Sequence, residues 1–187
     1  MELVRPGADA NVDEPFEDLS GGWFNAGNRA TNDEFSALAL EYLELAGARV
    51  VAGSHPVGPI RVGARVLGAD GRMWLVLMHG TVDDTKRAGM RRTDTLKKAG
   101  FDVHLLRELR PLPILVVTSH LAADGAAAEL AGVLRRWADE LVAVHGDFPG
   151  FQRLCGHFGG HVPAEPPPHQ SVETELVAGE QLGLFDA

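Results

Sequence analysis

Residues 72–100, RMWLVLMHGTVDDTKRAGMRRTDTLKKAG, decide the fold of this chain. Met73–Met78 contains neither a charge nor an alternation of polar and apolar residues, which predicts a strand buried on both faces at the centre of its sheet. The polar segment after His79 and Gly80 carries two aspartates and four basic residues. Because loops at the ends of buried strands commonly hold binding and catalytic groups in α/β domains, residues 79–98 are the first candidate site.

Patterns on both sides of this strand predict the other elements. A T-x-x-E capping box at Thr31–Glu34 marks a helix start, Gly47 marks its end, and Gly100 closes a second, short helix. In chain order we predict a helix over 31–46, strands over 49–52, 60–67 and 73–78, a helix over 95–99, strands over 101–106 and 113–118, a long amphipathic helix over 126–144 and a short helix near 148–154.

Charge divides the chain into three parts. The net charge is −9, yet residues 31–157 hold 15 basic and 15 acidic residues, so the whole excess lies at the two ends. Residues 1–30 predict a flexible acidic segment, residues 31–157 an α/β domain, and residues 158–187, with Gly159, Gly160 and three consecutive prolines, a flexible linker and tail.

Basic residues concentrate after the central strand. Residues 86–110 contain eight basic and three acidic side chains. Such a patch is suited to phosphate, and Arg91, Arg92, Lys97 and Lys98 are the candidate nucleic-acid contacts. The alternative is a solvated helix face with flanking loops.

Several other classes of protein find no support in the sequence. No apolar run is long enough to span a bilayer and no signal-peptide pattern opens the chain, so we expect a soluble cytoplasmic protein with no membrane partner. Cys155 is the single cysteine. Its spacing to His157 and His161 fits no common zinc site, so we predict no bound metal there. Phosphate-binding loops and nucleophile elbows are also missing from the sequence.

The order of predicted elements resembles the αβββαβ core of the PD-(D/E)XK restriction-endonuclease-like superfamily, from about residue 31 to about residue 121. The segment HGTVDDTKRAGMRRTDTLKKAGFDVHLL, residues 79–106, is also similar to the corresponding segment of very-short-patch-repair-type nucleases. The resemblance implies an α/β fold with a mixed sheet flanked by helices. It also implies a site in which an acidic residue on the second strand and an acid-x-lysine on the third hold magnesium for phosphodiester cleavage.

The chain departs from that family at the metal ligands. The second predicted strand has no carboxylate, and Leu77 and His79 stand where the acid and the lysine are expected. Magnesium would then need other oxygen ligands. The weak catalytic candidates are Asp83, Asp84, Asp70, His79 and Glu34. Each has a simpler interpretation: Asp83 and Asp84 in a solvated loop, Asp70 in a turn, Glu34 in the capping box, and His79 hydrogen-bonded at the sheet edge. A catalytically silent domain is therefore favoured.

The last residues contain the most specific motif. Gln181-Leu182-Gly183-Leu184-Phe185 resembles the Q-L-x-L-F peptide by which bacterial DNA polymerases and repair proteins bind the β sliding clamp. Gln181 supplies a polar anchor, and Leu182, Leu184 and Phe185 supply apolar side chains for pockets. Residues 162–180 predict a 19-residue tether with a mean span of about 25 Å. The alternative is a tail that docks on the chain's own core.

Together these features predict a non-catalytic accessory protein of bacterial DNA repair or damage tolerance, located with the nucleoid. Its tail would bind the clamp, and its nuclease-like domain would bind DNA, a polymerase or another repair protein. The alternative is a magnesium-dependent endonuclease or exonuclease with rearranged ligands.

Overall fold

The computed structural model describes residues 22–82 and 88–164, with side chains from Asp33 onward. Its helices and strands, in chain order, are α1 (Gly22–Leu45), β1 (Arg49–Ala52), β2 (His55–Val57), β3 (Ile60–Val62), β4 (Ala64–Leu67), β5 (Met73–His79), α2 (Thr93–Leu109), β6 (Ile114–Thr118), α3 (Gly125–Trp137), β7 (Glu140–Ala143) and α4 (Phe148–Phe158). None of these helices has the length and apolar character needed to cross a bilayer.

Five of the strands form one mixed sheet in the order β1-β4-β5-β6-β7. β4 is antiparallel to both of its neighbours, whereas β5, β6 and β7 are parallel. β2 and β3 form a separate antiparallel pair. The predicted α/β class with a mixed sheet is thus confirmed, as is the central position of the strand that begins at Met73.

Helices cover both faces of the large sheet. Trp74 and Val76 belong to the core beneath α1 and α4, whereas Leu75 and Leu77 belong to the core beneath α2 and α3. All four side chains are at most 6% exposed. Burial of both faces explains why β5 shows no alternation in sequence, since neither of its rows of side chains meets water.

The strand predicted over residues 60–67 is wrong, because it is two strands separated at Gly63. In one continuous strand, Val62 and Ala64 would face the same side of the sheet. Instead Val62 packs in the α2–α3 core and Ala64 in the α1–α4 core. The chain changes sheet at Gly63, where an added Cβ would lie 2.7 Å from the Sδ atom of Met78.

The second helix is longer than predicted. Residues 101–106, expected to be a strand, continue α2 to Leu109, and Gly100 is buried inside the helix rather than closing it. Phe101, Val103 and Leu105 alternate, which favoured a strand, but the buried side chains Leu96, Ala99, Val103 and Leu106 follow helical spacing instead. Phe101 is 62% exposed as a result.

The long helix predicted over 126–144 is also wrong, because α3 ends at Trp137 and the chain then enters β7. Ala138 adopts an extended conformation at the helix end. Asp139 then accepts hydrogen bonds from the Ile114 backbone amide (2.8 Å) and the Arg107 guanidinium (3.0 Å), which holds the chain beside β6. Trp137, predicted to be in the buried stripe, is 50% exposed.

At the N-terminal side, α1 begins at Gly22, nine residues before the predicted start at Thr31. The Thr31–Glu34 motif therefore lies inside the helix and does not cap it. The flexible segments predicted for residues 1–30 and 158–187 lie largely outside the described residues. The predicted turn at 69–71 and the short helix from Phe148 are confirmed.

Candidate functional site: a cleft at the carboxyl end of the central strand

The three parallel strands end at one edge of the sheet, which we call the carboxyl edge. β5 ends at His79, β6 ends at Thr118, and β7 ends at Ala143. Polar residues lie at or within two residues of each strand end: His79 and Thr81 at β5, residues 118–120 at β6, and His145 at β7. Thr118, Ser119 and His120 are at most 5% exposed, which is unusual for polar side chains. Their burial makes this edge the most polar part of the described interior.

Hydrogen bonds around Thr118 fix this edge. The Thr118 hydroxyl donates to the His79 carbonyl at 2.6 Å and accepts from the Met90 amide at 3.1 Å. Met90 also donates to the His120 carbonyl at 2.9 Å. At Gly89 (φ +54°) an added Cβ would lie 2.6 Å from the Ser119 hydroxyl oxygen. The backbone that returns toward α2 is therefore held tightly against the end of β6.

Beside this edge lies the central cleft, a depression of about 1030 Å³ between α1, the β2–β3 pair and the N-terminal half of α2. Its described lining includes apolar side chains of α1, β3 and β5, together with the imidazole of His79. Six charged residues also line it: Arg61, Arg92, Lys98, Asp33, Asp94 and Asp102. The three cations and three carboxylates balance.

His79 lines the central cleft at the end of β5. The side chain is partly accessible, but its Nε2 atom is buried and has no hydrogen-bond partner among the described residues. The interpretation of His79 as a hydrogen-bonded edge residue is therefore wrong for this atom. Burial lowers the pKa of His79 to about 4, and the positive charge of Lys98 acts in the same direction. The imidazole is neutral near pH 7 because burial deprives its charged form of hydration.

Two of the four predicted nucleic-acid contacts line the central cleft, and two do not. Arg92 and Lys98 line the central cleft, whereas Lys97 is exposed on α2 outside it. Arg92 forms a two-pronged ion pair with Asp94, with Nε 2.9 Å from Oδ1. The hydrogen bond from Arg92 is the main reason that the pKa of Asp94 is lowered. Arg91 precedes Arg92 in the sequence; it is half-buried and does not line the cleft.

The charge of Lys98 affects two other titratable groups of the cleft, His79 and Asp102, the latter one helical turn further along α2. Burial raises the pKa of Asp102, and Lys98 opposes that shift only in part. The exposed cation of Lys98 is therefore the charge that acts on the imidazole, and the half-buried carboxyl of Asp102 interacts with that same cation.

Two of the carboxylates considered for magnesium, Asp70 and Glu34, do not lie at His79. Asp70 lies in the β4–β5 turn, where it accepts a hydrogen bond from the Arg72 amide at 2.8 Å. That turn and His79 are at opposite ends of β5, whose seven residues span about 20 Å. Glu34 is exposed on α1 outside the cleft lining. Asp83 and Asp84 lie outside the described residues.

The described part of the chain contains no group of three or more His, Cys, Asp or Glu side chains positioned to hold a metal ion. Leu77, which the family resemblance in the sequence places where an acid is expected, is 1% exposed in the α2–α3 core. His157, considered for zinc, instead lies 3.2 Å from Glu140 and packs on the ring of Trp74.

Sequence reasoning missed several polar residues near the site. Arg61 lines the cleft from β3, and its guanidinium donates to the Ser54 hydroxyl at 3.3 Å. His120 and His145 follow β6 and β7, and their rings stack with centroids 4.6 Å apart. The polar run Thr118-Ser119-His120 after an apolar strand was the available signal, because parallel strands end at one shared edge.

Comparison with known proteins adds no relative, because no family model, curated protein or solved structure matches this chain. The fold and the cleft therefore define the protein only as a mixed α/β domain with a polar cleft at the carboxyl edge of its sheet.

Proposed function

We propose that the protein is a non-catalytic accessory factor of bacterial DNA repair or damage tolerance that is recruited to the β sliding clamp. The single observation that carries the proposal is the C-terminal sequence Gln181-Leu182-Gly183-Leu184-Phe185. A short extended peptide of this kind obtains its affinity from a few anchoring side chains, so it acts without a folded context. These residues lie outside the described part of the chain.

The distance along the chain is compatible with recruitment. α4 ends at Phe158, and 22 residues, 159–180, separate it from Gln181. Fully extended, such a segment reaches at most about 75 Å. This length allows the peptide to occupy a clamp while the α/β domain contacts DNA or another protein nearby.

The arrangement of the α/β domain supports a restriction-endonuclease-like fold within this proposal. In the large sheet and its flanking helices, the chain order α1, β1, β4, β5, α2, β6 follows the expected αβββαβ pattern. The β2–β3 pair is an insertion into that pattern. Leu77 and His79 occupy the positions of the family's acid and lysine, and this substitution supports a domain that binds without cleaving.

A peptide comprising residues 173–187 tests the clamp proposal. It should bind a bacterial β clamp with micromolar affinity, about 8 kcal/mol, measured by calorimetry or fluorescence anisotropy. In the full-length protein, the double change Leu184→Ala and Phe185→Ala should abolish clamp binding because it removes the largest apolar anchors. The matched control, Val177→Ala, removes an apolar side chain outside the motif and should leave binding intact.

Two results together would contradict this function. One is a peptide that does not bind the clamp at millimolar concentration. The other is a double variant whose melting temperature falls by several degrees, which would assign the tail to the protein's own packing. A folded, stable double variant that no longer binds the clamp is the expected outcome.

A metal-dependent nuclease is the second candidate, because Asp83 and Asp84 lie four and five residues after His79, where the central strand ends. Purified protein should leave single-stranded and duplex DNA intact with magnesium or manganese if the domain is silent. Cleavage that is lost in Asp83→Asn or Asp84→Asn would establish the nuclease instead.

A further inference from the structure

The most buried side chains that line the central cleft are apolar, and the imidazole of His79 lies in the same lining. Ile60 and Val62 of β3 and Leu77 of β5 contribute apolar surface and are at most 7% exposed. Among the described residues, Nε2 of His79 is buried beside them without a hydrogen-bond partner. A buried polar group without a partner costs about 1–3 kcal/mol, so a ligand that turns the partly accessible imidazole toward the cleft and supplies the missing bond would recover that cost.

The backbone that carries the imidazole is held in position before any ligand binds. The Thr118 hydroxyl donates to the His79 carbonyl at 2.6 Å. The next residue, Gly80, lies directly against Phe35 of α1, since an added Cβ would be 2.5 Å from the Phe35 ring. Contacts on both sides therefore fix the backbone at the end of β5, and little ordering would accompany ligand binding.

The charge distribution indicates which part of a ligand lies at the floor. Arg61, Arg92 and Lys98 are exposed and lie at the rim of the central cleft. The floor offers only apolar side chains and an imidazole that is neutral near pH 7. A phosphate among these apolar side chains would lose its hydration with only the exposed Lys98 acting on it, which is unfavourable. An uncharged planar group with polar edges fits the floor, and an anion fits the rim.

We propose that the central cleft binds a single unpaired nucleobase of a nucleic-acid strand, with Nε2 of His79 hydrogen-bonded to the edge of the base and the strand's phosphates beside Arg61 and Lys98. Proteins that bind an extruded or unpaired base combine apolar contact with its faces and hydrogen bonds to its edge. The cleft volume of about 1030 Å³ accommodates a nucleotide. This inference rests on the DNA-binding part of the proposed function and names the strand form that the domain recognises.

A pair of oligonucleotides tests the base contact in the full-length protein. One is a short fluorescently labelled oligothymidylate, and the other has the same length and charge but abasic residues throughout. Fluorescence anisotropy at low salt should give about tenfold tighter binding of the oligothymidylate, as expected for a base contact of about 1–3 kcal/mol. The His79→Leu variant should lose much of this preference, because it retains apolar contact with the base but offers no hydrogen bond.

A second variant separates the hydrogen bond from the shape of the site. His79→Gln places an amide near the position of Nε2, so it should keep most of the preference, whereas a structural role of the imidazole would not be restored by glutamine. Circular dichroism melts establish that both variants are folded. His104→Leu, an exposed change on α2, is the control and should bind as the parent does.

Each contrary result has a distinct meaning. Equal affinity for the two oligonucleotides, or a preference that is undiminished in His79→Leu, overturns the base site and leaves phosphate-directed DNA binding in place. No binding of either oligonucleotide overturns both the base site and the DNA-binding role of the domain. Recruitment to the clamp is tested independently by the peptide.

Discussion

Individual side chains at the carboxyl edge carry most of the chemistry in the described structure. Thr118 connects β5, β6 and the backbone at Met90 through one hydroxyl. Asp139 performs a similar structural role for the start of β7. His79 differs from both, because the described structure leaves its buried Nε2 without a partner. Buried nitrogens of His55 and Arg65 also lack a hydrogen-bond partner among the described residues, but His79 lines the cleft and they do not, so His79 marks the candidate site.

The low pKa of His79 predicts a specific dependence of stability on pH. Its pKa is about 4 in the folded protein against an ordinary value of 6.5. Between these values the unfolded chain binds a proton that the folded protein does not, so the free energy of unfolding should fall as the pH is lowered through this window. At a pH of about 5 the loss should be about 2 kcal/mol relative to neutral pH.

Urea unfolding of the parent protein and the His79→Gln variant at the two pH values measures this effect. Other groups also titrate in the window, so the difference between the two proteins isolates the contribution of His79. The parent should lose more stability than the variant on acidification, and His104→Gln should behave as the parent does. Equal losses in the parent and His79→Gln would show that the imidazole is readily protonated in the folded state.

At the scale of the elements, α2 is the main difference between the predicted and the observed structure. It runs for 17 residues through Gly100 and packs against α3. The ring of Trp137 lies over Gly100, with its nearest carbon 3.4 Å from the position of an added Cβ. Gly100 does not have the left-handed backbone conformation of a helix-ending glycine.

The replacement Gly100→Ala distinguishes a helix that ends at Gly100, as predicted, from a helix that continues through it, as observed. In a helix interior, alanine is favoured over glycine by about 0.5–1 kcal/mol, and the partly exposed Trp137 ring can accommodate one methyl group. We therefore expect an increase in the melting temperature, measured by circular dichroism.

Gly159→Ala is the matched control. Gly159 ends a helix with φ +78°, so alanine at this position should lower the melting temperature of the protein. A lower melting temperature for Gly100→Ala as well would indicate that the α2–α3 contact tolerates no added methyl group.

On the scale of the whole molecule, charge is distributed unevenly along the chain and around the cleft. The residues from 31 to 157 are electrically balanced, and the −9 net charge lies in the end segments. Within the balanced part, Arg61, Arg92 and Lys98 lie together at the cleft rim, but three carboxylates line the same cleft. Long-range attraction of DNA is therefore modest, and individual cations should have measurable effects on affinity.

Lys97 and Lys98 provide a paired test of DNA binding. They are adjacent and exposed on α2, but only Lys98 lines the central cleft. If the cleft rim contacts phosphate, Lys98→Gln should weaken DNA binding and reduce the slope of log affinity against log salt by about one, because one fewer counterion is released.

Lys97→Gln should change neither quantity appreciably in the same titrations. Equal effects of the two variants would place the DNA along the outer face of α2, as the basic pattern in the sequence suggested, and not in the cleft. Binding that is insensitive to both would remove α2 from the nucleic-acid surface.

The sequence by itself determined the features that depend on local composition. An uninterrupted apolar run specified the central strand, turn residues specified the β4–β5 hairpin, and five C-terminal residues specify the clamp hypothesis. Tertiary structure decided the features that depend on packing partners. Phe101–Leu106 alternates like a strand but is helical because its buried residues meet α3 and the sheet, and Leu141–Val142 leaves the helical stripe because β6 offers a free edge. The cleft also depends on tertiary structure, since Arg61, His79 and Lys98 come from three separate elements that only the folded sheet and helices bring together.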